Sequence, residues 1–320
     1  MSSSGPMRIL ITGASGFVGR HLIAALTALP NPPAIIAGTY GSKATFSPKV
    51  LAVSLDVTDA ARTHDIIKAE QPTHLVHLAG IAAVAQVNQR ARETWEVNAN
   101  GTLNVALAIQ RAAPECRLLL CSSAQVYGRS FRSDKPLRED ALLDPVNIYA
   151  SSKAAADLLV GQFAQDGLRA IRLRPFNHTG AGQPTDFVVP AFASQIVAIE
   201  RSTQDPVIKV GNLSMRRDFS DVMDVVDAYV KVIQRFDDLP NGAIFNIASG
   251  DAIAVENVPK ALLTLSSKKI DVLPDPARMR ENDTPVMAGD AQALHRAVGW
   301  VPHRAMSDTL KSVLAYYRGI

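Results

Sequence analysis

The run Arg8-Ile-Leu-Ile-Thr12 leads without a break into Gly13-Ala-Ser-Gly16-Phe-Val-Gly19. The first part reads as a buried strand, and the glycines, each three apart, open what reads as a helix. No other stretch restricts the fold as much. Glycine permits a sharp strand-to-helix turn, lets backbone N–H groups approach a pyrophosphate and lets helix and strand pack closely. The positive end of the helix then faces the phosphates. A chain that begins this way is expected to continue as alternating strands and helices.

The pattern does continue. Strand-like runs stand at 8–12, 34–40, 49–57, 74–80, 117–123 and 169–176, with helical patterns at 16–29 and 95–112 and another beginning at Tyr149. This alternation predicts an α/β fold: a doubly wound, Rossmann-type parallel sheet with helices on both faces. After Pro175 the pattern loosens into "FNHTGAGQPTDF", then returns as a helix over 221–236 and a strand over 243–248. The expected organisation is a dinucleotide-binding domain from 7–175 plus about 221–248. A smaller α/β substrate-binding lobe is expected from about 176–220 and 249–320, with 1–6 as a disordered leader.

Composition excludes several classes. The chain has 320 residues, 33 basic and 30 acidic, for a net charge of +3. The longest lysine run is Lys268-Lys269, which is not the clustering that nucleic-acid binding requires. No apolar run reaches the length of a membrane span. Two cysteines, Cys116 and Cys121, make no disulfide framework and fit a reducing cytoplasm. Neither shows a zinc spacing, and no metal site is expected.

Two features bear on chemistry. Tyr149 and Lys153 stand four apart at a helix start and share a face. The second predicted strand ends "GTYGSK" with no acid, where Asp or Glu would hold an adenosine ribose and repel a 2′-phosphate. Its absence, with Ser42 and Lys43 close by, leans toward NADP or use of both dinucleotides; Lys43 is equally readable as a solvated loop residue. Asp56, at the end of the third strand, is either a turn residue or a partner for the adenine amino group.

Taken together, TGxxGxxG, "LDV", "HLAG", Asn98 in "VNANGT", "SSAQVYG" (122–128) and Tyr149-x-x-x-Lys153 resemble the extended short-chain dehydrogenase/reductases, the NAD-dependent epimerase/dehydratase family. "RPFNHTGAGQ", "DFVVPAFASQI", "IKVGNLSMRRDFSDVMDVVDAY" and the Gly299-Trp300-x-Pro302 tail are similar to its members that act on GDP-linked 4-keto sugars. The likeness covers nearly the whole chain from Met7. It implies hydride transfer from NADPH or NADH to the C4 ketone of GDP-4-keto-6-deoxy-D-mannose, giving GDP-D-rhamnose. A nucleotide-sugar 4-epimerase, or a 4,6-dehydratase with tightly held dinucleotide, is the alternative.

The resemblance implies a cofactor site of Gly13, Gly16, Phe17, Val18, Gly19, Tyr40, Asp56, Val57, Leu78, Ala79, Gly80 and Asn98, joined by Tyr149 and Lys153. In it Tyr149 is the acid that protonates the reduced carbonyl. Lys153 lowers the phenol's pKa and holds the nicotinamide ribose, and Ser123 positions the substrate oxygen. Gln125 stands where dehydratases carry a glutamate; an amide cannot remove a C5 proton, which favours simple reduction. Substrate contacts are implied at Gln125, Asn177, Val188, Asn212, Arg217, Arg280 and Asp283, the arginines through bidentate contact with a diphosphate. Asp283 replaces the family's glutamate, Glu281 its proline, and Ala82 and Ala83 a Ser or Thr near the hexose. His178 reads as structural. A homodimer is expected, packed through Rossmann-lobe helices including the one that carries Tyr149.

Overall fold

The computed structural model describes residues 6–41, 44–82, 90–132, 135–278 and 284–320. Its elements run β1 (Arg8–Thr12), α1 (Phe17–Thr27), β2 (Ala34–Thr39), β3 (Val50–Ser54), α2 (Ala60–Glu70), β4 (His74–His77), α3 (Ala91–Trp95), a π turn (Glu96–Asn100), α4 (Gly101–Ala112) and β5 (Arg117–Cys121). A 3-10 segment (Ala124–Arg132) leads to α5 (Ile148–Gln165), β6 (Ala170–Pro175), β7 (Asn177–Thr179), α6 (Val188–Glu200), β8 (Val207–Val210), β9 (Arg216–Asp221) and α7 (Val222–Gln234). Then come β10 (Ile244–Ile247), β11 (Ala252–Ala254), α8 (Asn257–Leu263), β12 (Asp271–Pro274), β13 (Val286–Met287), α9 (Gln292–Val298) and α10 (Met306–Gly319).

Seven strands form one parallel sheet in the order β3-β2-β1-β4-β5-β6-β10. Strand side chains alternate between faces. Thus Ile9 and Ile11 pack with Leu22, Val225 and Tyr229 on one side. Leu10 packs with Ile67, Val105 and Ile109 on the other. Burial on both faces accounts for the near-continuous apolar runs in the sequence. Chain order reverses between β1 and β4, so a crevice opens past Thr12 and His77, at the carboxyl ends of these strands.

The second lobe is built on β9, which pairs with β7 and β13 in parallel and with β11 antiparallel. Phe192, Ile196, Phe219, Leu262, Leu310 and Val313 form its separate core. One segment departs from the sequence-based division, which gave all of 249–320 to this lobe. Leu294, Val298 and Trp300 instead belong to the first core, and Trp300 Nε1 donates to the Asp224 carbonyl at 2.9 Å. The expected helix over 95–112 is also three pieces, broken by the π turn. The strands predicted over 49–57 and 74–80 stop at Ser54 and His77, which leaves Asp56 and Leu78–Gly80 in loops.

Candidate active site

The crevice is a cleft of about 980 Å³ lined by Gly13, Gly16, Tyr40, Asp56, Leu78 and Gly80, with the 90–97 segment closing one side. Gly13 has φ +67, and a Cβ there would lie 2.7 Å from the Ala79 N. A Cβ on Gly19 would lie 2.6 Å from the Ala14 carbonyl oxygen. The turn is therefore pressed against the 78–80 loop, and only glycine fits. Such a cradle of bare backbone suits a pyrophosphate. Val18 follows in the first turn of α1, and Val57 is buried against α4. Tyr40 is 71% exposed at the mouth, an aromatic face open to a ring. Asp56 spends one carboxylate oxygen on the Thr58 N–H and hydroxyl, at 2.9 and 2.7 Å.

Tyr149 and Lys153 sit side by side in sequence phase on α5, whose N-cap, Asn147, accepts the Ala150 N–H at 2.8 Å. Both are buried. The expected lowering of the tyrosine's pKa by lysine is not what the surroundings produce. Burial pushes the phenol up to about 12, opposed by its hydrogen bond with the Ser123 hydroxyl. Lys153 Nζ instead donates to the Cys121 carbonyl at 2.5 Å, and burial lowers its pKa while Cys121 and Asp157 oppose. The ammonium still faces the cleft: a Cβ on Gly80 would lie 3.8 Å from Nζ and 3.0 Å from Asn98 Oδ1. Ser123, just past β5, accepts the Gln125 N–H at 3.2 Å, so its own proton is free for Tyr149 or a ligand oxygen.

Asn98 is given protein partners. Its Oδ1 accepts the Ile81 N–H at 2.9 Å, and its Nδ2 donates to the Ile81 carbonyl and to Ser152 Oγ at 3.1 and 3.0 Å. It ties the cleft floor to α5, a task that the π turn, common at functional sites, makes possible. Sequence reasoning missed the anchor beneath Lys153. Asp157, one turn further along α5, is wholly buried and clasped by Arg174 at 2.9 and 2.8 Å. Arg174 also donates to the Tyr127 hydroxyl, which donates to Asn246 Oδ1 at 2.7 Å. The i, i+4, i+8 spacing of 149, 153 and 157 was the available signal.

At the second lobe, Phe17 of α1 stacks on His178 with ring centroids 6.3 Å apart. His178 Nδ1 bonds the Phe176 carbonyl at 2.9 Å, and burial lowers its pKa. Asn177 opens β7, and Val188, half-buried, opens α6. Asn212 Oδ1 is spent on its own turn, accepting from the Ser214 N–H and hydroxyl. Arg217, on β9, is buried and donates through Nη1 to the Arg216 and Thr284 carbonyls at 2.9 and 2.7 Å. Ser42, Lys43, Ala83, Arg280, Glu281 and Asp283 lie outside the described residues.

Comparison with known proteins gives a consistent picture. The model of the NAD dependent epimerase/dehydratase family matches residues 9–248. GDP-6-deoxy-D-mannose reductase of Pseudomonas aeruginosa is 31% identical over 309 residues, 96% of each chain. GDP-6-deoxy-D-talose 4-dehydrogenase of Aggregatibacter actinomycetemcomitans is 29% identical, over 92% of each. A solved structure of RMD from Pseudomonas aeruginosa complexed with NADPH superposes with a TM-score of 0.84 at 29% identity, covering 98% of this chain and 99% of that one.

Proposed function

The chain belongs to the NAD dependent epimerase/dehydratase family, and from that premise we propose that it reduces the C4 ketone of GDP-4-keto-6-deoxy-D-mannose to give GDP-D-rhamnose. The observation that carries the reading is the cluster at the ends of β5 and α5. A buried Tyr149 is bonded to Ser123, Lys153 lies one helical turn on, and Gln125, whose backbone N–H is given to the Ser123 oxygen, is an amide in sequence where a dehydratase would carry a carboxylate.

The Gly13–Gly19 turn, the 78–80 loop and Lys153 would hold a reduced nicotinamide dinucleotide, which would supply the hydride when bound. This chain's own groups handle the oxygen that becomes an alcohol. Ser123 donates to the ketone oxygen and fixes its direction. Tyr149, a phenol that carries its proton at neutral pH, gives that oxygen its proton as charge develops. Lys153 presents a cation at the cleft, opposing the cost of charge in a buried site. Arg217 supports binding of the sugar nucleotide's diphosphate, and Asn177 meets the hexose. NADPH is the preferred donor in this reading: β2 ends at Thr39 with Tyr40 and Gly41 beyond it, and no acid there repels a 2′-phosphate. The protein works as a homodimer in the cytoplasm, where its two free thiols, Cys116 and Cys121, stay reduced.

Purified protein mixed with GDP-4-keto-6-deoxy-D-mannose is expected to oxidise NADPH stoichiometrically, faster than NADH, with GDP-rhamnose as product. Conversion of a nucleotide sugar with no added reductant would establish the epimerase alternative instead.

A further inference from the structure

His77 ends β4, wholly buried, beside the point where strand order reverses. Thr12 Oγ1 accepts the Ala79 N–H at 3.2 Å and lies 2.7 Å from His77 Nδ1. On the other side of the ring, Nε2 lies 3.1 Å from Thr102 Oγ1, and that hydroxyl donates to the Asn98 carbonyl at 2.6 Å. A threonine hydroxyl has one proton to give. Thr102 has committed its proton to Asn98, so it must accept at His77, and Nε2 must carry the ring's proton. Nδ1 is then an acceptor, and Thr12 donates to it. The bonds form one directed chain, from Ala79 through Thr12, His77 and Thr102 to Asn98. Its first link is the loop against which the Gly13 turn is pressed. Its last is the π turn, whose Asn98 side chain holds Ile81 and Ser152.

We propose that His77 is a positioning residue of the dinucleotide site: a neutral imidazole, protonated at Nε2, that fixes the diphosphate turn relative to the π turn and, through Ser152, to the helix bearing Tyr149 and Lys153. The proposal rests on the reading of the cleft as a dinucleotide site. A polar chain satisfied at every member specifies one geometry, where an apolar filler would leave neighbouring geometries similar in energy. Charging the ring would make Nδ1 a donor, reverse one link and place a second cation near Lys153. Burial, and after it Lys153, hold the imidazole's pKa down to about 3, so the chain keeps one sense through the physiological range.

The test uses His77→Phe, His77→Gln and Thr102→Val in the full chain. NADPH binding is followed by cofactor fluorescence, and both KM values by steady-state assay. His77→Phe is expected to weaken NADPH binding by roughly 10-fold, the scale of one hydrogen bond, with the sugar nucleotide's KM nearly unchanged. His77→Gln recovers part of this, since its amide can still donate to Thr102. His77→Phe combined with Thr102→Val is no worse than the poorer single variant, because both break one chain. Nitrogen-15 spectra of histidine-labelled wild-type protein, with the His77 signal assigned by its loss in His77→Gln, are expected to show the Nε2–H tautomer and no titration down to pH 5. A folded His77→Phe with unchanged NADPH affinity, or an Nδ1–H tautomer, overturns the proposal. If His77→Phe does not fold, Thr102→Val carries the binding test. Wild-type protein that binds neither dinucleotide would instead remove the reading of the cleft, and the tautomer then decides the chain alone.

Discussion

Tyr149, a phenol that burial raises to about 12, enters the reaction carrying the proton it must give. Tyr149→Phe is therefore expected to lower kcat by about 10²- to 10⁴-fold, the range for one general acid. NADPH affinity should stay within about twofold, a difference of roughly 0.4 kcal/mol. Stopped-flow and equilibrium titration check both, and unchanged turnover refutes the acid role. Tyr149 and Lys153 were legible in the sequence because their relation is local, four residues on one helix face. What Lys153 touches was not, because the Cys121 carbonyl is 32 residues away and only the fold brings it near. For the same reason the partners of the Asn98 amide, Ile81 and Ser152, the latter 54 residues distant, were not legible in the sequence.

Among the elements, the 3-10 segment carrying Gln125 depends on one glycine. Gly128 has φ +49, and a Cβ there would lie 1.8 Å from the Asp144 carbonyl oxygen, which already accepts the Arg129 N–H at 2.9 Å. This contact joins the turn after Ser123 to the segment that leads into Tyr149. Gly128→Ala is expected to destabilise the fold by about 3 kcal/mol, from overpacking and a left-handed alanine, and to lower kcat as well. Denaturant unfolding checks the first effect, and a midpoint shifted by under 1 kcal/mol of stability contradicts it. Asn147→Ala, which removes only the N-cap of α5, should cost about 1 kcal/mol. The parallel sheet was readable because both-face burial writes continuous apolar runs. The π turn was not, since an inserted residue within "TWEVNANGT" leaves the helical pattern nearly intact.

At the scale of the whole molecule, buried histidines contribute to the response to acid, His178 among them, its pKa lowered by burial. His74 is lowered to about 4, by burial first and Arg117 second, and His77 to about 3. Both bind protons near pH 6.5 when unfolded but not when folded. Their contribution to stability is full above pH 6.5 and is lost as pH falls toward 4 and 3. Each steepens the loss by up to about 1.4 kcal/mol per pH unit in that window. Melting temperature should fall steadily below pH 6.5, and a flat profile down to pH 4.5 contradicts the buried neutral state. The helices also leave an apolar surface, with Leu158 of α5 60% exposed and Trp95 40% exposed. Light scattering is expected to give a dimer, and Leu158→Glu a monomer. The division into lobes was only partly legible: Trp300 sits far along the chain from β1 and α7, and nothing local announces that it returns to their core. Delivery of hydride to C4 of a GDP-linked ketone is tested most directly with NADPH deuterated at the transferred position. With GDP-4-keto-6-deoxy-D-mannose, one deuterium at C4 of the product for each NADPH oxidised is the predicted result. Absence of oxidation, or a product without label at C4, contradicts it.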